Sequence, residues 1–188
     1  CILNEAGRAG GERRVEFPSR TSFLRQKELA DGLPGIDVVI RSEGLDAFLR
    51  RERSIKDASE IATILKAAAI TNAVIAEVEK ALTGPQAGGL RELDIAQLVE
   101  RESLARGAEG LGFETLAAGP ARSWGIHCFP AYSAGPFGGT GLSILDFGVR
   151  VDGYTSDVTL TIARGPLSGP QERMIELVEQ AYAAAVTA

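Results

Sequence analysis

Residues 142–163 read as two strands, rich in β-branched and apolar side chains, joined at Asp152-Gly153. Few short stretches restrict a fold so tightly. Both residues of that dipeptide tolerate positive φ, which a type I′ hairpin turn needs, and the turn's twist matches that of the strands it joins. With Asp152 and Gly153 as the loop, Val151 faces Tyr154, Gly148 faces Asp157 and Asp146 faces Thr159. Alternation then places Leu145, Phe147, Val149, Val151, Tyr154, Val158, Leu160 and Ile162 on one apolar face that should pack on a core. The other face carries Ile144, Asp146, Gly148, Asp157, Thr159 and Thr161. Asp146 and Asp157 become diagonal neighbours, roughly 7–8 Å apart in an ideal ladder and within side-chain reach of one point.

Like charges at that range repel, so the pair must share a proton, be solvated or share a cation. Carboxylate oxygens suit hard divalent ions such as manganese or magnesium. On spacing alone, a solvated polar face bearing two ordinary aspartates is the leading reading and metal binding the alternative. Asp146-Phe147-Gly148 also spells a kinase motif, but no glycine-rich ATP loop, His-Arg-Asp or strand lysine precedes it.

Ile-Leu-Asp-Phe-Gly at 144–148, followed by Asp-Gly-Tyr-Thr-Ser-Asp-Val-Thr-Leu-Thr at 152–161, resembles the first metal-ligand hairpin of the pita-bread metallopeptidases. The Gly-Tyr-x-Ser-Asp form is closer to the Xaa-Pro aminopeptidase and prolidase branch than to the methionine aminopeptidases, which carry His-Gly-Asp there. The match runs from about Arg53 to Ala188. The resemblance implies an α+β fold in which helices cover an antiparallel sheet, the N-terminal half of a pita-bread (creatinase/aminopeptidase-like) domain. It implies two divalent metal ions, manganese first and cobalt or zinc as alternatives, with Asp146 chelating one ion and Asp157 bridging both. The implied activity is hydrolysis of N-terminal or dipeptide Xaa-Pro bonds in short peptides, and the intact protein is expected to be a homodimer.

The same resemblance gives a role to the only histidine. His127 stands nineteen residues before Asp146, where relatives place a histidine that contacts substrate and handles protons. Imidazole, which ordinarily titrates near neutrality, suits that task. Around it, Ile126-His127-Cys128 replaces the family's common Pro-His-Tyr, and Arg122 and Trp124 replace small residues, changes that bear on substrate preference. The family's other ligands are a histidine and two glutamates from a later half, and no histidine follows His127 here. The 188 residues alone are therefore expected to be inactive. A non-catalytic pita-bread binding module and a metal-free creatine-hydrolase-like relative are the rival readings. Paired carboxylates weigh against both.

A net charge of −5 without a basic cluster argues against nucleic acid as a partner. No apolar run is expected to span a membrane, and no secretory leader is visible. Two cysteines make no disulfide framework, so the cytoplasm is the default compartment. Because the chain begins at Cys1, a fragment or processed product is expected. Residues 1–52 are read as the end of an N-terminal domain or a linker, and 53–188 as the first half of the catalytic domain. Residues 1–14 show little periodicity, residues 36–40 look like a strand, and Leu45 to Arg51 like a helical turn or two.

A long helix should start near Asp57 or Ser59 and end at Thr83-Gly84-Pro85, with Ile61, Ile64, Leu65, Ala68, Val74, Ile75, Val78 and Leu82 on its apolar side. A second, from about Leu93 to Arg106, should bury Ile95, Leu98, Val99 and Leu104, with Gly107 as its cap. Residues 111–119 read as one strand leading into the His127 loop. The glycine-rich stretch 133–141 lacks the Gly-Lys-Ser/Thr of a phosphate loop and reads as a flexible connection. A last helix should begin at Ser168-Gly169-Pro170, with an apolar side from Met174 to Ala185.

Overall fold

The chain divides into two units between Asp57 and Ala58; its structure, a computed structural model, describes residues 14–125 and 127–187. The first unit holds β1 (Arg14–Phe17), α1 (Phe23–Gly32), β2 (Asp37–Ile40) and α2 (Leu45–Ser54). β1 and β2 pair in parallel, with α1 between them in sequence. The α2 N-cap, Gly44, offers no side chain, and the Glu16 carboxylate of β1 accepts from the Leu45 N–H in its place. Arg41 also binds that carboxylate, and the two contacts hold it below the usual carboxylate range. β2 and α2 lie where the sequence points. β1 and α1 were not foreseen, and the remaining low-periodicity residues, 1–13, lie outside the described residues.

The second unit begins with α3 (Ala58–Thr83) and α4 (Glu92–Ala105). β3 (Gly110–Leu111), β4 (Leu116–Ala118), β5 (Gly141–Phe147), β6 (Val149–Val151), β7 (Tyr154–Thr155), β8 (Val158–Arg164) and α5 (Gly169–Thr187) follow. Asp152 and Gly153 take φ of 46° and 78°, and the ladder keeps the register that this turn dictates: Val151 opposite Tyr154, Asp146 opposite Thr159.

The hairpin is interrupted at Gly148, where the chains approach so closely that a Cβ would overlap the Ser156 carbonyl oxygen. The interruption makes two sheets, β4-β5-β8 and β3-β6-β7. It also splits the single strand expected over 111–119. β3 pairs with β6 and β4 with β5, and the Gly112 N–H bonds the Gly148 carbonyl at 2.8 Å where the chain crosses over.

The core lies between the apolar face of the hairpin and the two long helices. Leu145, Phe147, Val149 and Val151 are buried against Ala67, Ile70, Val74 and Val78 of α3 and Ile95 and Val99 of α4. Each large side chain so buried contributes about 1.5–3 kcal/mol.

Three expectations about the helices change. Ile61 and Leu65 are exposed, Leu65 by 63%, because the buried stripe of α3 runs through Ala67, Ile70, Thr71, Val74, Val78 and Leu82. On α4 the stripe passes through Glu92, Ile95, Ala96, Val99 and Ser103, so Leu104 is 50% exposed while Ser103 is buried with its hydroxyl donating to the Val99 carbonyl. In composition and length the 26 residues of α3 could cross a membrane, contrary to the reading of the sequence; here one stripe of α3 packs against α4, β6 and β7.

Gly107 does cap α4. At φ +90° it lets its own N–H reach Leu104 and that of Ala108 reach Ser103, the paired bonds of a Schellman end. The 133–141 stretch is pinned rather than flexible: Phe137 is fully buried and its N–H bonds Leu90 at 2.8 Å. α5 forms as expected from Ser168, whose N–H and hydroxyl both reach the Gln171 side chain, but no residue on it is buried.

The start of α4 carries a pH-sensitive cap. The Arg91 guanidinium and N–H both bond the Asp94 carboxylate and pull its pKa from 3.8 to about 2. A depressed carboxyl stabilises the fold above its unfolded value and loses that contribution as pH falls through its folded one. We expect acid destabilisation between 3.8 and about 2 that Asp94→Asn removes, read from melting temperature against pH.

Candidate active site

Asp146 lies on the central strand of its sheet, between Leu116 of β4 and Thr159 of β8. It is half-buried, and the Thr159 hydroxyl donates to its Oδ1 at 3.1 Å. Asp157 occupies the joint between β7 and β8 and is exposed. Its neighbour fixes its direction. The Ser156 N–H donates to the Val149 carbonyl at 2.9 Å, and its Oγ accepts from the Val149 N–H at 2.9 Å and meets the Thr71 hydroxyl of α3 at 2.7 Å. Thr71 in turn donates to the Ala67 carbonyl at 3.0 Å. Ser156 is thus tied to the helix side, and alternation turns Asp157 to the other side, the one Asp146 faces.

Both aspartates and His127 line one open cleft of about 390 Å³. Phe113, Glu114, Leu116, Cys128, Phe129 and Ala131 complete its wall. Geometry thus brings together the three residues singled out from sequence. Ile126, beside the histidine, lies outside the described residues. The structure adds Glu114, a third carboxylate on the cleft, and two phenylalanines. Nothing in their spacing marks them in the sequence; Phe113 and Glu114 lie where the chain crosses between sheets after Gly112, and Phe129 lies on the loop that carries His127.

Among the described residues, neither Asp146 nor Asp157 has a cationic side chain as partner, although other acids on this chain pair with arginines. Two uncompensated oxygen donors on one face fit a hard divalent ion. They are a pair of candidate ligands: among the described residues no group of three or more His, Cys, Asp or Glu is placed to hold a metal.

The loop carrying His127 is organised by a residue that sequence reading passed over. Glu92, at the start of α4, is 1% exposed and accepts hydrogen bonds from the Gly119 N–H, the Arg122 guanidinium and the Ser133 hydroxyl. One signal was available. A carboxylate begins the same helical stripe as Ile95, Ala96 and Val99, and a buried acid needs partners.

Helices on the apolar face of an interrupted hairpin, with paired carboxylates on the opposite face, define the N-terminal part of a pita-bread peptidase fold. The chain belongs to metallopeptidase family M24, whose profile matches residues 62–188. It is 30% identical over 167 residues to the putative dipeptidase YkvY of Bacillus subtilis, covering 89% of this chain and 43% of that protein. It is 32% identical over 145 residues to the Xaa-Pro dipeptidase of Pyrococcus furiosus, covering 77% of this chain and 40% of the relative. The crystal structure of the prolidase from Pyrococcus horikoshii OT3 superposes with a TM-score of 0.79 at 26% identity, covering 93% of this chain and 47% of that one. The chain spans less than half the length of these relatives.

Proposed function

We propose that this chain contributes the first two metal-binding carboxylates and the substrate-facing histidine of a metal-dependent exopeptidase that cleaves N-terminal or dipeptide Xaa-Pro bonds. The observation that carries the reading is the convergence of Asp146, Asp157 and His127 on one open cleft, with both carboxylates free of cationic partners among the described residues. Relatives named as Xaa-Pro dipeptidases support the substrate class. Asp146 and Asp157 would hold two divalent ions, manganese first, which when bound supply Lewis acidity for attack of water on the scissile carbonyl.

The chain's own residues would do the rest. The β5–β8 ladder places Asp146, the Thr159 hydroxyl orients it, and the bonds of Ser156 to Val149 and Thr71 fix the backbone beside Asp157. His127 would take or return a proton at the substrate. Phe113 and Phe129 give the cleft an apolar surface for the residue ahead of the cleaved bond. A cytoplasmic site and a homodimer of the intact protein belong to the same proposal.

The test separates proton handling from metal binding. In the intact protein, His127→Ala should lower turnover about 10²–10⁴-fold and leave metal content unchanged by elemental analysis. Metal loss equal to that of Asp146→Asn would remove His127 from its assigned role. A parent protein that binds metal and substrate without turnover would favour the binding-module reading.

A further inference from the structure

We infer that Glu92, acting through Arg122, is a positioning residue for the loop that presents His127 to the cleft. The catalytic consequence rests on the function proposed above; the clamp itself rests on geometry alone.

One buried carboxylate holds this loop at three places. Oε1 accepts from the Gly119 N–H at 2.8 Å, and Oε2 accepts from Arg122 Nη1 at 2.5 Å and from Ser133 Oγ at 2.6 Å. Arg122 reaches further along the chain, its other Nη donating to the Pro130 carbonyl. Residues 119, 122 and 133 are therefore fastened directly to one point on α4, residue 130 is fastened to it through the arginine, and His127 lies on the chain between Arg122 and Pro130. Among its described residues the enclosed segment has no strand or helix, and it is held by turns and one bond to β5: Ser123 N–H to Gly119, Gly125 N–H to Arg122, the Cys128 thiol toward the carbonyls of Arg122 and Gly125, and the Ser123 hydroxyl to the Leu142 carbonyl. Segments held by so few backbone bonds open at low cost unless side chains tie them down.

The alternative is a buried ion pair that stabilises the fold and does nothing particular for the loop. Buried pairs often add little net stability, while loss of one partner leaves a desolvated charge behind. The two roles differ in where loosening appears. A pair holding the fold loosens every protected amide together; a clamp loosens the residues it spans.

Hydrogen exchange on the chain with Glu92→Gln, and separately with Arg122→Lys, decides between them. The lysine keeps the charge but cannot reach both Glu92 and Pro130 as the forked guanidinium does. We expect the Ser123 and Gly125 amides to exchange about ten- to a hundredfold faster in both variants, the loss of one charge-assisted bond. Amides of β5 and α3 should keep the parent rate. Uniform acceleration over loop, β5 and α3, or an unchanged loop, overturns the clamp.

In the intact protein the same variants should lower kcat while KM for a Xaa-Pro dipeptide stays within about twofold, as for an interaction felt in the transition state. A loosened loop with unchanged kcat would overturn the catalytic part. An intact parent without peptidase activity would sink the proposed function and leave the exchange result to judge the clamp.

Discussion

Asp157→Asn in the intact protein should remove the metal-dependent hydrolysis proposed above, with turnover lowered at least about 10³-fold, because a metal pair would supply several kcal/mol of transition-state stabilisation. The substitution is nearly isosteric and replaces the one carboxylate assigned to both ions. Asp157 is exposed at a strand joint and has no cationic partner among the described residues, so the fold does not depend on its charge. Its backbone direction is set next door by Ser156, bonded to Val149 and Thr71. Melting of the variant should therefore stay within about 0.5 kcal/mol of the parent. Metal content by elemental analysis should fall with activity. Full metal content in an inactive variant would move Asp157 from ligand to another role; full activity would dismiss the metal reading of the hairpin.

The hairpin was legible because its signals agree with one another. Turn chemistry set the register, and a period of two separated the core face from the carboxylate face. The pairings from Gly141 with Arg164 to Phe147 with Val158, and from Arg150 with Thr155 to Val151 with Tyr154, follow from that turn, with Gly148, Val149 and the residues facing them, Asp157 and Ser156, left outside these two ladders. The long helices were legible in extent but less so in orientation. Leu104 and Leu65 look like core residues, yet the stripes run through Ser103 and Ala67, since the stripe is chosen by what the opposing sheet can receive. A small or hydroxylated residue fits where the backbones come close, and the hydroxyl of Ser103 satisfies itself on the preceding turn.

Apart from His127, the lining of the cleft beyond the two aspartates was not legible. Glu114, Phe113 and Phe129 carry no periodic signal; the first two lie at the crossover beside the tight approach of Gly148 to Ser156, and Phe129 lies on the His127 loop. Glu92 looked like one more acid in the first turn of a helix, where carboxylates are ordinary. Its burial depends on three donors from residues 27 to 41 positions away, which no local pattern announces. α1 escaped notice for the opposite reason. It buries nothing and rests on a Ser22 cap, so it offers no apolar stripe to read.

The 188 residues by themselves should bind divalent ions weakly and show no peptidase activity. Ions are held in a dinuclear site because several charged ligands converge in a prepared cage, and two carboxylates leave most coordination positions to water. The described residues supply Asp146 and Asp157 and no larger ligand group. The surface points the same way. α5 buries none of its residues, and Met174, Leu177, Val178, Tyr182 and Val186 all stand exposed along it, an apolar area that soluble monomers rarely leave open. Self-association or poor solubility should follow until another surface covers that helix. The assay is the purified chain with a Xaa-Pro dipeptide and excess manganese, run with and without a co-expressed second half of the family's catalytic domain. Turnover should appear only with the second half, together with tighter manganese binding and a single hydrodynamic species. Metal-dependent turnover by the chain alone, persisting in Asp146→Asn, would come from a contaminating peptidase. Turnover lost in Asp146→Asn would mean that these two carboxylates suffice, and that the ligand set implied by the family does not describe this protein.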